Sequence, residues 1–188
     1  MRVVAAMLML VAVLAACSKD SAQPVGPDVA PEPTRQAPNG PISPVRNPKN
    51  LAAIQPCLML TAAQLEAIRI DQPGVPKAVL GSAGCEWGDS AKTRQFAAFV
   101  DIGNDVLRNV YSQRNALPVF EITEVAGLPA IRTKDNVDGS TCYFRVATAE
   151  TQTLIVRFTL LRQDRGDSCG PARAFAETVV GNLPPLAG

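Results

Sequence analysis

The chain has 188 residues, with 18 basic and 17 acidic side chains and no histidine. Without histidine, the Ser-His-Asp and Cys-His arrangements of nucleophilic enzymes are excluded, and a general base would have to be a carboxylate or a lysine. The near balance of charge gives no electrostatic reason to bind nucleic acid or an anionic bilayer, so no nucleic-acid partner is expected.

The first 17 residues have the pattern of a lipoprotein signal. Arg2 precedes the apolar run 3–14, and Leu14-Ala15-Ala16-Cys17 has the form of a lipobox. The run is shorter than the roughly 20 residues of a spanning helix. We predict a signal peptide over residues 1–16, export, and a diacylglyceryl group on Cys17 that anchors the protein to the outer face of the cell membrane. The alternative is a plain secreted protein in which a cysteine falls at position 17 by chance.

A proline-rich stretch follows the lipobox. Nine prolines fall between Pro24 and Pro56, separated mostly by small and polar residues. Such a composition cannot bury a core and favours extended conformations. We predict that residues 17–50 are the lipidated cysteine and a tether, and that residues 51–188 form a single domain.

The remaining cysteines are Cys57, Cys85, Cys142 and Cys169. In an exported chain, four cysteines favour two disulfides, with three possible connectivities. We favour the sequential pairing, Cys57 with Cys85 and Cys142 with Cys169, which closes two loops of similar length. A four-cysteine metal site is disfavoured, because the chain has no C-x-x-C pair and no histidine. We expect no metal and no cofactor.

The local patterns predict elements along the whole domain. Thr61-Ala62-Ala63-Gln64 has the form of a capping box at the start of a helix. In chain order we predict a helix from Thr61 to about Arg69, strands around Cys85–Trp87 and at Arg94–Ile102, a helix over about Asn104–Arg114, strands at Val119–Val125, Ala130–Thr133, Cys142–Thr148 and Thr153–Arg162, and a helix opening near Pro171 and ending at Gly181. Because neighbouring strands cluster, this order favours an α+β domain with one antiparallel sheet and packed helices.

The last two strands offer a candidate binding face. One face of the final strand is apolar, formed by Leu154, Val156, Phe158 and Leu160, and is predicted to face the core. If the last two strands pair, their other faces bring together Tyr143, Arg145, Ile155 and Arg157. Arginine and tyrosine beside apolar residues suit an interface or an anionic amphiphile. The alternative is an ordinary half-solvated sheet face that a helix partly covers.

Several motifs together resemble a known family. They are the lipobox, the opening Gln55-Pro56-Cys57-Leu58-Met59-Leu60-Thr61, the segment Gly84-Cys85-Glu86-Trp87, and the later cysteine pair before a helix ending in Asn182-Leu183-Pro184. This order resembles actinobacterial lipoproteins with a DUF3558-type domain of unknown function, although Gln55 stands where an acidic residue is more usual. The resemblance implies an exported, lipid-anchored envelope protein with two structural disulfides and no assigned activity. It also implies a PsbP/Mog1-like sandwich, by fold analogy alone.

No catalytic motif is found in the sequence. The turn Asp135–Gly139 is not a calcium loop of the EF-hand type, because Arg145 stands where the pattern requires glutamate. We therefore expect a non-enzymatic envelope lipoprotein that binds another protein or envelope component. The alternative is a carrier or sensor of a small amphiphile or lipid, which a closed apolar cavity would favour.

Overall fold

Seven strands form one antiparallel sheet in the computed structural model, which describes residues 42–162 and 166–187. The strands are β1 (Val75–Val79), β2 (Ser82–Gly88), β3 (Arg94–Ile102), β4 (Val119–Val125), β5 (Leu128–Lys134), β6 (Thr141–Ala149) and β7 (Gln152–Leu160). Their order across the sheet is β1-β2-β3-β7-β6-β5-β4. The helices are α1 (Ala62–Ala67), α2 (Val106–Ser112) and α3 (Cys169–Asn182). The predicted α+β class with one antiparallel sheet is confirmed, whereas the predicted signal peptide, Cys17 and most of the predicted tether lie outside the described residues.

The helix boundaries follow from capping and from proline. Thr61 and Gln64 form the predicted capping box, in which the Gln64 amide donates to the Thr61 hydroxyl at 3.2 Å and the Thr61 amide donates to Gln64 Oε1 at 2.9 Å. Helix α3 carries Pro171 in its first turn and ends just before Pro184, because proline cannot continue a helix. No helix in the two described stretches is long and apolar enough to cross a membrane.

Strand β1 lies in the stretch between the first predicted helix and Cys85, where no element was predicted. Leu80 and Gly81, with φ of 49° and 86°, connect β1 to β2. Two consecutive positive φ angles are typical of a tight hairpin turn. The strand escaped prediction because all five of its residues are exposed and one is Pro76, so no alternation of apolar and polar residues marks it.

The core lies on one face of the sheet, which we call the first face. Helix α3 packs there, and Phe175 stacks on Phe96 at 4.9 Å between ring centroids and meets Trp87 edge-on at 5.6 Å. The strand residues buried on this face include Cys85, Trp87, Phe96, Ala98, Val125, Leu128, Ala130, Cys142, Phe144, Val146, Leu154, Val156 and Phe158. The apolar face predicted for the last strand is therefore a core face, with Leu160 partly buried at its end.

Two disulfides join the covering elements to the sheet. Cys57, in a 3-10 turn at Pro56–Leu58, pairs with Cys85 of β2, and Cys142 of β6 pairs with Cys169, the first residue of α3. The favoured sequential connectivity is the one that the structure contains. Each bridge thus fixes a segment that packs on the first face.

The two ends of the described chain meet at the β6–β7 end of the sheet. The Lys49 amide donates to the Thr148 carbonyl at 2.7 Å, and Asn50 donates to the Pro184 carbonyl at 2.8 Å. The Leu186 amide donates to the Pro48 carbonyl at 3.0 Å. Upstream of these bonds, Val45 already packs against the core.

The β2–β3 turn is held by one carboxylate. Asp89 accepts hydrogen bonds from the Thr93 amide at 2.6 Å, from the Arg94 amide at 3.2 Å and from the Thr93 hydroxyl. Burial alone would raise the pKa of Asp89, but the hydrogen bonds from Thr93 and Arg94 together lower it below its ordinary value.

Candidate functional site

The other face of the sheet, which we call the second face, brings the four predicted residues together. In the register of β6 and β7, Tyr143 lies opposite Arg157 and Arg145 lies opposite Ile155. Directly opposite residues of an antiparallel pair share a face and have Cβ atoms about 5 Å apart. The arrangement anticipated from the sequence is therefore present, and its partners define the electrostatics of the site.

Arg157 is held by groups from the neighbouring strands. Its Nη2 lies 2.8 Å from Glu86 Oε2 and 3.1 Å from Gln95 Oε1. Glu86 also lies 3.7 Å from the Lys77 ammonium, so one carboxylate serves two cations. The Ala97 side chain between them is short, which lets Arg157 reach across β3 to Glu86 on β2. Arg157 is thus bound within the protein.

Arg145 has a different environment. Its Nη1 donates to the buried Thr133 hydroxyl at 2.7 Å, and its guanidinium carbon lies 5.3 Å from the centre of the Tyr143 ring. In the part of the chain that the structure describes, Arg145 has no ion pair with a carboxylate. Burial lowers the pKa of Arg145, because it disfavours the charged form, although the guanidinium stays protonated at neutral pH.

Tyr143 links this arginine to an acidic turn. Its hydroxyl donates to Asp135 Oδ2 at 3.3 Å. Burial, and then the negative charge of Asp135, raise the pKa of Tyr143 above its ordinary value. The phenol is therefore neutral at physiological pH and acts as a hydrogen-bond donor and a surface on which Arg145 rests.

Helix α2 covers one half of the second face. It packs against β5 and β6, and its Tyr111 ring lies 6.0 Å from the ring of Phe120 on β4. Leu107 of α2 and Ile131 of β5 are buried but lie outside the main core cluster, so they form a small apolar layer under the helix. Arg145, on the strand between β5 and β7, stands at the border of this covered half.

The second-face residues of β1, β2, β3 and β7 form what we call the open half. Phe99 and Ile155 are opposite each other in its floor, and the Phe99 ring lies over Gly84, where a Cβ would come within 2.2 Å of the ring. At its outer edge, Val75 and Val79 are 51% and 48% exposed. The open half therefore combines exposed valines at its edge with the charged and polar side chains of Lys77, Glu86 and Arg157, while Phe99 is only 7% exposed.

Two open clefts lie away from Arg145. One of about 460 Å³ is formed by the segment 42–45, the start of α2 and the β6–β7 hairpin. The other, of about 410 Å³, lies at edge strand β4 and includes Ser43, Ile122 and Arg173. Both clefts open to solvent, and neither is lined by Arg145.

A family model described as "Protein of unknown function (DUF3558)" matches residues 12–182. The chain belongs to the DUF3558 family. No curated protein and no solved structure matches it. The predicted DUF3558 membership is confirmed, and the matched residues include both disulfides and all four residues of the predicted binding face.

Two other features of this DUF3558 chain, the single tryptophan and the β5–β6 turn, have structural roles. Trp87 is buried in the core against α3. Asp135–Gly139 is the β5–β6 connection, closed by a hydrogen bond from the Gly139 amide to the Asn136 carbonyl at 3.2 Å. Within residues 42–162 and 166–187, no group of three or more acidic or cysteine side chains is placed to hold a metal ion.

The sequence did not predict which residues hydrogen-bond to the predicted binding face. Glu86, Gln95, Thr133 and Asp135 contact the predicted arginines and tyrosine, and none of them was singled out as part of the face. Alternation along β2 places Glu86 opposite in direction to Cys85 and Trp87, which is the available signal. That signal could not be used without knowing that β3 lies between β2 and β7.

Proposed function

We propose that this protein is an exported, lipid-anchored envelope protein on the outer face of the cell membrane that binds another protein or envelope component without catalysing a reaction. The lipobox at Leu14–Cys17 supports the anchor, and two disulfides suit an oxidising compartment. The lack of histidine, and the commitment of Arg157 and Glu86 to each other, support a binding role over catalysis.

The observation that carries the binding proposal is the open half of the second face. Exposed Val75 and Val79 lie at its edge, and half-buried Ile155 lies beside Tyr143 and Arg145, which are the residue types that act as anchors in protein interfaces. Its extent across four strands fits a macromolecular partner better than a small molecule, which a concave site would enclose.

The anchor is tested by changing its acceptor. We expect Cys17→Ser to abolish labelling by an alkyne analogue of palmitate and to release the protein from the host's membrane fraction, because the thiol that carries the lipid is gone. Cys57→Ser is the matched control and should keep the label. Retention of the Cys17→Ser protein and its label with the membrane would contradict the lipidation proposal.

Binding is tested on the protein from its own host. The domain is released from native membranes by proteolysis within the tether and examined by native mass spectrometry. We expect a second polypeptide to be released with it, and we expect a negative charge introduced at the open half, as in Ile155→Asp, to separate the two. A stoichiometric small adduct in place of a polypeptide would contradict the proposal.

The cleft of about 460 Å³ favours a second candidate function, the carrier or sensor of a small amphiphile. Its walls include Ile42, Val45, Leu107 and Ala149, and its volume lies within the range of ligand sites. Leu107→Trp, which fills this cleft, would remove an adduct bound there and would leave a polypeptide bound at the open half in place.

A further inference from the structure

Strand β4 is an edge of the sheet with a free side. Among the strands that the structure describes, it pairs with β5 alone. Its seven residues contain no proline or lysine, and its register with β5 is continuous from Val119 to Val125. Proline, lysine and bulges are among the features that protect an edge strand from pairing. The opposite edge, β1, has two of these features, Pro76 and Lys77.

The hairpin that follows β4 shows which of its backbone groups face outward. The loop Ala126–Gly127 has positive φ angles of 49° and 76°, as in a type I′ turn. Val125, just before this loop, is therefore hydrogen-bonded to Leu128 of β5. Because hydrogen bonding alternates along an antiparallel strand, every second residue from there points its amide and carbonyl away from β5. These residues are Phe120, Ile122 and Glu124.

The side chains beside this edge are accessible as well. Glu121, Ile122 and Glu124 are exposed, with Ile122 at 38%. The open cleft of about 410 Å³ lies along the same edge, and its walls include Ile122, Thr123 and Arg173. Another strand can therefore reach the free side of β4.

The sequence of β4 is complementary to a second copy of itself. In a two-fold antiparallel pairing centred on Ile122, all seven residues overlap and no like charges lie directly opposite each other. Centring the pair on Glu121 or Glu124 would place identical carboxylates opposite each other. Centring it on Phe120 or Thr123 would shorten the overlap. One register is therefore favoured over the others.

This register also creates a charge contact on the first face. Glu121 lies opposite Thr123 of the second copy, and the Thr123 hydroxyl accepts a hydrogen bond from Arg173 Nη2 at 2.9 Å. Directly opposite residues have Cβ atoms about 5 Å apart, so Glu121 of each copy comes within reach of Arg173 of the other. The Glu121 and Arg173 side chains are 49% and 42% exposed, which leaves room for a second partner besides Arg132 and Glu177, respectively.

We propose that two copies of this chain associate edge to edge through β4, in the register centred on Ile122, and join their sheets into one. The partner at this edge is thus a second copy of the chain. The association uses the β4 edge and not the open half, so it is independent of the protein or envelope component that the open half is proposed to bind.

Cysteine crosslinking in host membranes tests the pairing. Ile122→Cys is introduced into the full chain, in which the four cysteines of the domain are in disulfides. With a short bismaleimide we expect a product of twice the mass of the chain, in which mass spectrometry finds the peptide with position 122 joined to itself. Val75→Cys is the matched control at the other edge. It is more exposed, at 51%, and should stay monomeric.

An exchange of charges tests the register and guards against misfolding. Glu121→Arg and Arg173→Glu each place like charges across the interface, and each should reduce the crosslink between identical chains. The two variants are then expressed together with different tags, both with Ile122→Cys, so that opposite charges meet at both contacts. The mixed dimer should exceed either homodimer about tenfold, since two like-charge contacts are replaced by two ion pairs. Formation of the mixed dimer also shows that both variants fold.

Several outcomes would overturn the proposal. One is a chain that stays monomeric with the thiol at position 122, and another is a crosslink from that position to a different protein only. Equal crosslinking from position 75 would show that the edges associate without selectivity. A crosslink with no preference for the mixed dimer would overturn the register. Each of these outcomes leaves binding at the open half to its own test.

Discussion

Removing the disulfides one at a time tests how they stabilise the domain. The paired cysteines are 28 residues apart in one bridge and 27 apart in the other. In the chain-entropy relation, closing a loop of this size removes about 12 cal/mol/K from the unfolded chain, which is about 3.5 kcal/mol at 25 °C. We therefore expect the variants C57A/C85A and C142A/C169A to lose nearly the same free energy of unfolding.

In the folded protein, the cysteines of the two bridges are buried to a similar extent. Cys85 and Cys142 are fully buried, and Cys57 and Cys169 are partly buried against the same core. Truncation to alanine consequently leaves similar small voids in the two variants. The difference between them then reports on loop closure and on whichever local contacts depend on each bridge.

Urea unfolding followed by fluorescence provides the measurement. Trp87 is the single tryptophan of the chain, it is buried, and it lies 5.6 Å from Phe175, so its emission reports on docking of α3. The chain from residue 17 with Cys17→Ser is the background, because it removes the thiol that would mispair. The dependence on urea should also steepen in both variants, since the unfolded chain becomes more expanded.

One result would refute the loop-closure reasoning. If one variant lost less than about 1 kcal/mol while the other lost more than about 3 kcal/mol, loops of equal length would have given unequal effects. The stabilisation would then have to come from native contacts that one bridge maintains and the other does not.

Three further predictions concern the fold. In urea unfolding, Gly84→Ala should destabilise the domain by about 1–3 kcal/mol, because the added Cβ would lie 2.2 Å from the Phe99 ring and 2.7 Å from the Ala98 carbonyl. Gly88→Ala is the control and should have little effect, because the nearest atom to its Cβ is 3.6 Å away. Phe175→Ala should lower the free energy of unfolding by about 3–5 kcal/mol by calorimetry, with Glu177→Ala within about 0.5 kcal/mol as a control. Asp89→Asn should be less stable than wild type above pH about 4, and the difference should vanish as pH falls through the lowered pKa of Asp89; a difference that grew towards low pH would contradict this.

The sequence predicted best those features that depend on a local pattern. The alternation of Leu154, Val156 and Phe158 placed the core face of β7 correctly, because side chains alternate between faces along any strand. The capping box also marked the start of α1 at Thr61 correctly, because it involves only residues three positions apart. Sequential pairing of the cysteines also needed no knowledge of strand order.

Features that depend on strand order were not predictable. Strand β7 inserts between β3 and β6, so residues far apart in sequence become neighbours. The contact between Arg157 and Glu86 spans an intervening strand and depends on the small side chain of Ala97. The position of α2 over Ile131 likewise follows from tertiary packing, which local propensity does not specify.

The junction of the two chain ends gives the domain a defined point of mechanical loading. A pull on the predicted tether reaches the packing of Val45 and then the backbone hydrogen bonds of Lys49 to Thr148 of β6 and of Asn50 to Pro184. The next residue, Leu51, is fully buried, and its amide donates to the Gln152 side chain at 2.7 Å. Pulling it out would expose an apolar side chain and break this hydrogen bond. Tension along the predicted tether would therefore load a short group of hydrogen bonds at the β6–β7 end of the sheet, far along the chain from β1 and β2.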